Sequence, residues 1–147
     1  MRPLALMPIL CVTACLGQQV SDSNFPNAQL VKLSEIIKDQ AQFQNKVVRV
    51  QAKYLSGYFL ETIWDAGSKG RVWASFDEHL SENTKPSTLS QYENLFGKNV
   101  TVDVTVVGFL LPPNKSHTEG GRVYQFGFGH LHSWDFEFHV LSIETIR

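Results

Sequence analysis

Two stretches of this chain alternate valine with other residues too regularly to be anything but strands. In NKVVRVQAKY (45–54), Val48, Val50, Ala52 and Tyr54 share one parity, while Val47, Arg49, Gln51 and Lys53 share the other. In GKNVTVDVTVVG (97–108), Val100, Val102, Val104 and Val106 alternate with Thr101, Asp103 and Thr105. A period of two with β-branched residues on one side specifies a half-buried sheet face. Both strands are entered alike: an aromatic residue (Phe43, Phe96), a turn, a lysine (Lys46, Lys98), then the valines. The intervening segments do not match, so this is a pair of similar strands and not a repeat array.

The remaining pattern builds a domain around this pair. Ser34 is placed to cap a short helix over roughly 35–42, with Leu33, Ile36, Ile37 and Phe43 on its buried side. Ser56-Gly57 turns or bulges the first strand, and Tyr58–Trp64 reads as a second. The turn chemistry of 65–70 leads into a third strand, Arg71–Phe76. Residues 77–90 are polar, include Pro86 and read as loop; 90–97 reads as a short helix with Ser90 as cap, Glu93 completing a capping box and Gly97 as stop. After Leu111 comes a long polar loop. Tyr124, Phe126 and Phe128 then share a parity, and Phe136, Phe138 and Val140 open a last strand towards Ile146.

Three strands, a helix, then two or three strands is the order of the OB-fold. The expectation is a mainly β protein: a small OB-like Greek-key β-barrel of five to six strands with one or two short helices. Aromatic residues at 12% suit such a core.

The chain opens MRPLALMPILCVTAC: one positive charge, a short apolar run from Leu4 to Val12, then small residues. This is the layout of an export signal, and the run is too short for a membrane span, which takes ~20 residues. Val12-Thr13-Ala14-Cys15 resembles the lipobox of bacterial lipoproteins. That resemblance implies removal of residues 1–14, acyl chains on Cys15, and a permanent membrane anchor. Residue 16 is Leu and not the Asp that often retains such proteins at the inner membrane, so the outer membrane, facing the periplasm, is expected. Ordinary cleavage after Ala14 or Gly17, releasing a soluble protein, is the alternative. Residues 15–29 read as lipidated cysteine and flexible tether, and 30–147 as the barrel domain.

NKVVRVQAKY, GKNVTVDVTVVG and GHLH (129–132) together resemble uncharacterised exported bacterial proteins with "GKxVxVxGxV" strands and a late Gly-His motif. Ala52 and Val104 stand where that pattern has glycine. The resemblance implies no activity.

Chemistry-bearing residues are few. His130, His132 and His139 are the candidate metal ligands, with Asp135 as a further donor; no cysteine or methionine follows Cys15 to bind a soft metal. His139 is an odd number of residues from His132 and shares parity with Glu137, so one flat strand cannot converge the three. Histidines on a barrel wall are therefore expected over a metal site, and no cofactor is expected. Nucleophile-elbow, zinc-protease and phosphate-loop motifs are missing from the sequence, so the chain is not expected to be an enzyme. Asp77-Glu78 and Asp135/Glu137 read as surface charge. With 13 basic against 14 acidic residues, no nucleic-acid partner is expected.

Trp73 and Trp134 are the candidate ligand-binding aromatics, and loops 65–70, 112–121 and 129–135 the candidate recognition loops. The functional expectation is a cell-envelope lipoprotein acting as a non-catalytic binding or assembly module. Its partners would be the membrane, through the lipid on Cys15, and an envelope protein or small ligand such as a sugar or peptide. The alternative is a metal-binding protein or metal-dependent enzyme built on the GHLH histidines.

Overall fold

The structure is a computed structural model that describes residues 23–113, 117–119, 122–124, 127–129 and 133–147. Cys15 with the rest of the leader, and His130 and His132, lie outside the described residues.

The two valine stretches form the seam of the fold. Strand β2 (Val48–Ser56) pairs antiparallel with β5 (Val100–Leu111) along its whole nine-residue length, from Val48↔Gly108 to Ser56↔Val100. Val48, Val50, Ala52 and Tyr54 are buried, with Val104 and Val106 facing them, as the alternation requires. Strands β3 (Glu61–Trp64), β4 (Val72–Phe76) and β8 (Glu137–Ile146) complete the circle β2-β3-β4-β8-β5, which returns to β2. The β4–β8 pairing is parallel and the other barrel pairings are antiparallel. Helices α3 (Leu80–Asn83) and α4 (Pro86–Leu95) lie between the third and fourth barrel strands, so this is an OB-like barrel.

Both ends of the barrel are stoppered. Helices α1 (Leu33–Lys38) and α2 (Gln40–Phe43) cover the Val48 end, where Ile36 and Phe43 face Leu110 across a cleft. At the other end Tyr92 of α4 packs on Tyr54 and Phe76, with ring centroids 6.3 and 4.6 Å away, and Ser56 Oγ donates to the Leu95 carbonyl at 2.9 Å. Phe138, wholly buried between these stoppers, contributes about 2–3 kcal/mol through removal of its ring from water.

Four local expectations change. Tyr58–Leu60 is a turn closed by the Gly57 amide donating to the Leu60 carbonyl at 2.9 Å, so the second barrel strand starts only at Glu61. Segment 77–90 is not loop throughout. It holds α3 and the start of α4, because Pro86 sits in the first helical turn, where its missing N–H breaks no bond. Ser90 thus lies inside α4 and caps nothing. Ser34 does not cap α1 either. The Leu33 and Ser34 amides donate to Asp65 Oδ1 and Oδ2 at 2.9 and 2.8 Å, a cap supplied by the turn after β3.

Part of the segment expected to be tether is also built onto the barrel. Gln29–Leu30 forms β1, parallel to the start of β2. Arg49 donates to the Phe25 and Ala28 carbonyls while gripping Glu144 with Nε and a second nitrogen, each at 2.7 Å. Burial pushes the Glu144 carboxyl up, but hydrogen bonds from Arg49 and Ser23 together with the Arg49 charge outweigh this and leave it below the ordinary range. A short hairpin of β6 (His117–Glu119) and β7 (Arg122–Tyr124) belongs to the β5–β8 connection. No helix among the described residues is long and apolar enough to cross a membrane.

Candidate functional site

Alternation along β4 sends Val72, Ala74 and Phe76 inward, which leaves Trp73 and Ser75 on the outer wall. Along β8, Phe138 and Val140 go inward and Glu137 and His139 outward. The parallel register sets Trp73 beside Glu137 and Ser75 beside His139. Strand β5 extends these rows with Leu111 and Phe109, and β3 adds Thr62 next to Trp73. Two rows result on the outside of the barrel: Thr62–Trp73–Glu137–Leu111 and Ser75–His139–Phe109.

The polar members form one hydrogen-bonded network. His139 Nδ1 lies 2.8 Å from Ser75 Oγ, and Nε2 lies 3.1 Å from Asp77 Oδ2, just past the end of β4. Ser75 Oγ is also bonded to Glu137 Oε1. The imidazole rests against the Phe109 ring at 5.1 Å. The His139 side chain is 23% exposed and that of Glu137 15%, too enclosed for solvated surface charge yet open at one edge. The amide of His79, and then His139, hold the Asp77 carboxyl below the ordinary carboxylate range. Asp77 and Glu137 are therefore not the independent surface charges their positions in the sequence suggest.

The candidate residues fall as follows. His139 joins this network, with Ser75 as a partner that no sequence motif marks; strand parity alone places Ser75 and Asp77 outward. Both ring nitrogens of His139 are engaged, and among the described residues no three His, Cys, Asp or Glu side chains are grouped to hold a metal ion. Trp73 is half-buried, and a Cβ added at Gly129 would come within 2.2 Å of its indole. The Gly129 backbone thus lies on the ring, held by a positive φ of 69°. Trp134 exchanges two main-chain hydrogen bonds with Phe128. Thr62 Oγ1, in the same row as Trp73, is the buried side-chain polar atom left without a partner among the described residues.

Chemically this wall offers acceptors, a hydroxyl and an aromatic edge. Ser75–His139–Asp77 has the connectivity of a nucleophile relay, but Glu137 competes with the imidazole for the Ser75 proton. A second perturbed group lies at the barrel mouth. Burial pushes the Glu61 carboxyl up, opposed by a hydrogen bond from Tyr54, and burial also raises the Tyr54 and Tyr92 hydroxyls, which remain neutral phenols. A cleft of about 170 Å³ between α1–α2 and the end of β5 is lined by Ile36, Phe43 and Leu110 together with Gln40 and Gln44, and by no ionisable side chain among the described residues. No family model, no curated protein and no solved structure matches this chain.

Proposed function

We propose that this chain is a cell-envelope lipoprotein whose barrel is a non-catalytic binding or assembly module, with the outer wall of β4 and β8 as its recognition face. The lipid is carried on Cys15, and the domain faces the periplasm from the outer membrane. The reading of the wall is carried by one observation: Ser75, Asp77, Glu137 and His139 form a half-enclosed polar network on the outside of the barrel, where core packing does not require them. The half-buried Trp73 indole in the adjoining row supplies the apolar contact of a small-ligand site. Near-neutral charge favours a sugar or peptide ligand over a polyanion.

Two experiments test the two halves of this reading. Incorporation of labelled palmitate that disappears in Cys15→Ala supports the anchor, and labelling that persists in the variant refutes it. For the wall, soluble cell-wall glycan fragments and short peptides are titrated against the protein by amide NMR. Shifts clustered at Trp73, Ser75, Glu137 and His139 are expected. Shifts elsewhere, or none with either probe, remove this wall as the recognition face.

A further inference from the structure

The polar wall network contains one more hydrogen bond than ordinary protonation can fill. Its three bonds, Glu137–Ser75, Ser75–His139 and His139–Asp77, each need one proton. With both carboxylates ionised and the imidazole neutral, the network holds two: one on the Ser75 hydroxyl and one on the ring. If the ring proton serves Asp77, Nδ1 is a bare acceptor and takes the Ser75 proton. Glu137 Oε1 and Ser75 Oγ then meet with no hydrogen between them. If Ser75 donates to Glu137 instead, Nδ1 and Ser75 Oγ meet as two acceptors, unless the ring proton moves to Nδ1, and then Nε2 and Asp77 Oδ2 are the two acceptors that meet.

We propose that Ser75, Asp77, Glu137 and His139 form a proton-binding site on the barrel wall, which takes up one proton shared between Glu137 and His139. With the proton on His139, the imidazolium donates to both Ser75 and Asp77, and Ser75 donates to Glu137. With the proton on Glu137, every donor in the chain reverses as far as Ser75, and the Asp77 bond is unchanged. All three bonds form either way, so the proton belongs to the pair and not to one residue. The charged and titratable groups facing the imidazole are Asp77 at the end of β4 and Glu137 on β8, with the Phe109 ring of β5 beneath. His79 reaches Asp77 through its backbone amide, while its own ring is turned to Glu78 and Glu82.

The consequence has a definite sign. The network is complete while the proton is bound, and it loses one bond as pH rises through the point where the proton leaves. The bond lost is at Ser75 or at Asp77, according to which ring nitrogen keeps the remaining proton. The wall therefore gains negative charge and an unfilled acceptor on deprotonation. This inference rests on the hydrogen-bond geometry and is independent of the ligand reading.

The decisive variant is Glu137→Gln, whose amide supplies the missing hydrogen covalently. Isotope-edited imidazole NMR is recorded from about pH 5 to about pH 8 on the wild type and the variant. In the wild type, a proton-uptake step is expected that is reported jointly by the His139 ring and the Glu137 carboxyl. In Glu137→Gln that step should move to lower pH by a unit or so, about tenfold in proton affinity, with His139 neutral and Nε2-protonated at neutral pH. Ser75→Ala removes two of the three bonds and should have the same effect, which serves if the first variant folds poorly. An imidazole that titrates identically in the wild type and in either folded variant overturns the proposal.

Discussion

Substituting Gly108 with alanine should be the most damaging single-methyl change in the barrel. Gly108 sits where β5 pairs with β2 on one side and β8 on the other, at a register shift in the β5–β8 ladder. An added Cβ would lie 2.1 Å from the His139 carbonyl oxygen, 3.0 Å from its carbon and 2.8 Å from the edge of the Phe138 ring. The nearest of these atoms is backbone, so no rotamer change relieves it, and β8 has to retreat by about 1 Å where Phe138 anchors the core. Overpacking of this kind costs about 3 kcal/mol, set against a whole-domain stability on the order of 5–15 kcal/mol. At this domain size that lowers Tm by roughly 10 °C. Urea and thermal unfolding followed by far-ultraviolet circular dichroism measure it directly. Gly70→Ala is the control: its nearest neighbour would be a serine hydroxyl at 3.6 Å, so the change should be within about 1 kcal/mol of neutral. A Gly108→Ala protein as stable as the control would refute the close β5–β8 approach.

Other outcomes follow from single contacts. Asp65→Ala strips two amide partners from the start of α1 and should cost about 1–2 kcal/mol in urea unfolding, with faster amide exchange at Leu33 and Ser34. Arg49→Ala leaves Glu144 half-buried without its partner and frees the Phe25 and Ala28 carbonyls; limited proteolysis should then cut within 23–30 while the barrel stays folded. Asp77 and Glu144 both have carboxyls held below their ordinary values in the folded state. The stability they contribute is present above about pH 4.5 and is lost as pH falls through those lowered values, so acid unfolding should be shallower in Glu144→Gln. Gly129→Ala pushes the β5–β8 connection off Trp73, which should shift tryptophan fluorescence without loss of far-ultraviolet signal.

The parts of the fold that can be read from the sequence are those governed by short-range pattern. Valine parity places β2 and β5 and orients every residue from Val48 to Tyr54 correctly, because a period of two has only two solutions and one buries charge. Parity also separates His139 from Phe138. What parity cannot give is the partner strand. Ser75 and His139 are 64 residues apart and meet through a parallel pairing that no local signal encodes. Asp65 caps a helix 31–32 residues away for the same reason, which is why Ser34 looked sufficient. Pro86 misleads in another way: a proline ends a helix from within but opens one from its first turn, and only the flanking structure distinguishes these. Of the network, only the shared parity of His139 and Glu137 was legible; Asp77 read as surface charge in a loop, and Ser75 and the pairing that joins the four stayed hidden.

Arg49 also decides how this domain bears load. A pull applied at residue 23 reaches first the Asn24 side chain on α3, then the Phe25 and Ala28 carbonyls held by the guanidinium, then the two residues of β1. Only when these have let go does tension arrive at β2, whose nine-residue pairing with β5 closes the barrel. The contacts that yield first are few and lie outside the barrel core. On the proposed anchor at Cys15, the leading segment would work as strain relief: it would peel away under drag and reseat while the barrel remains shut.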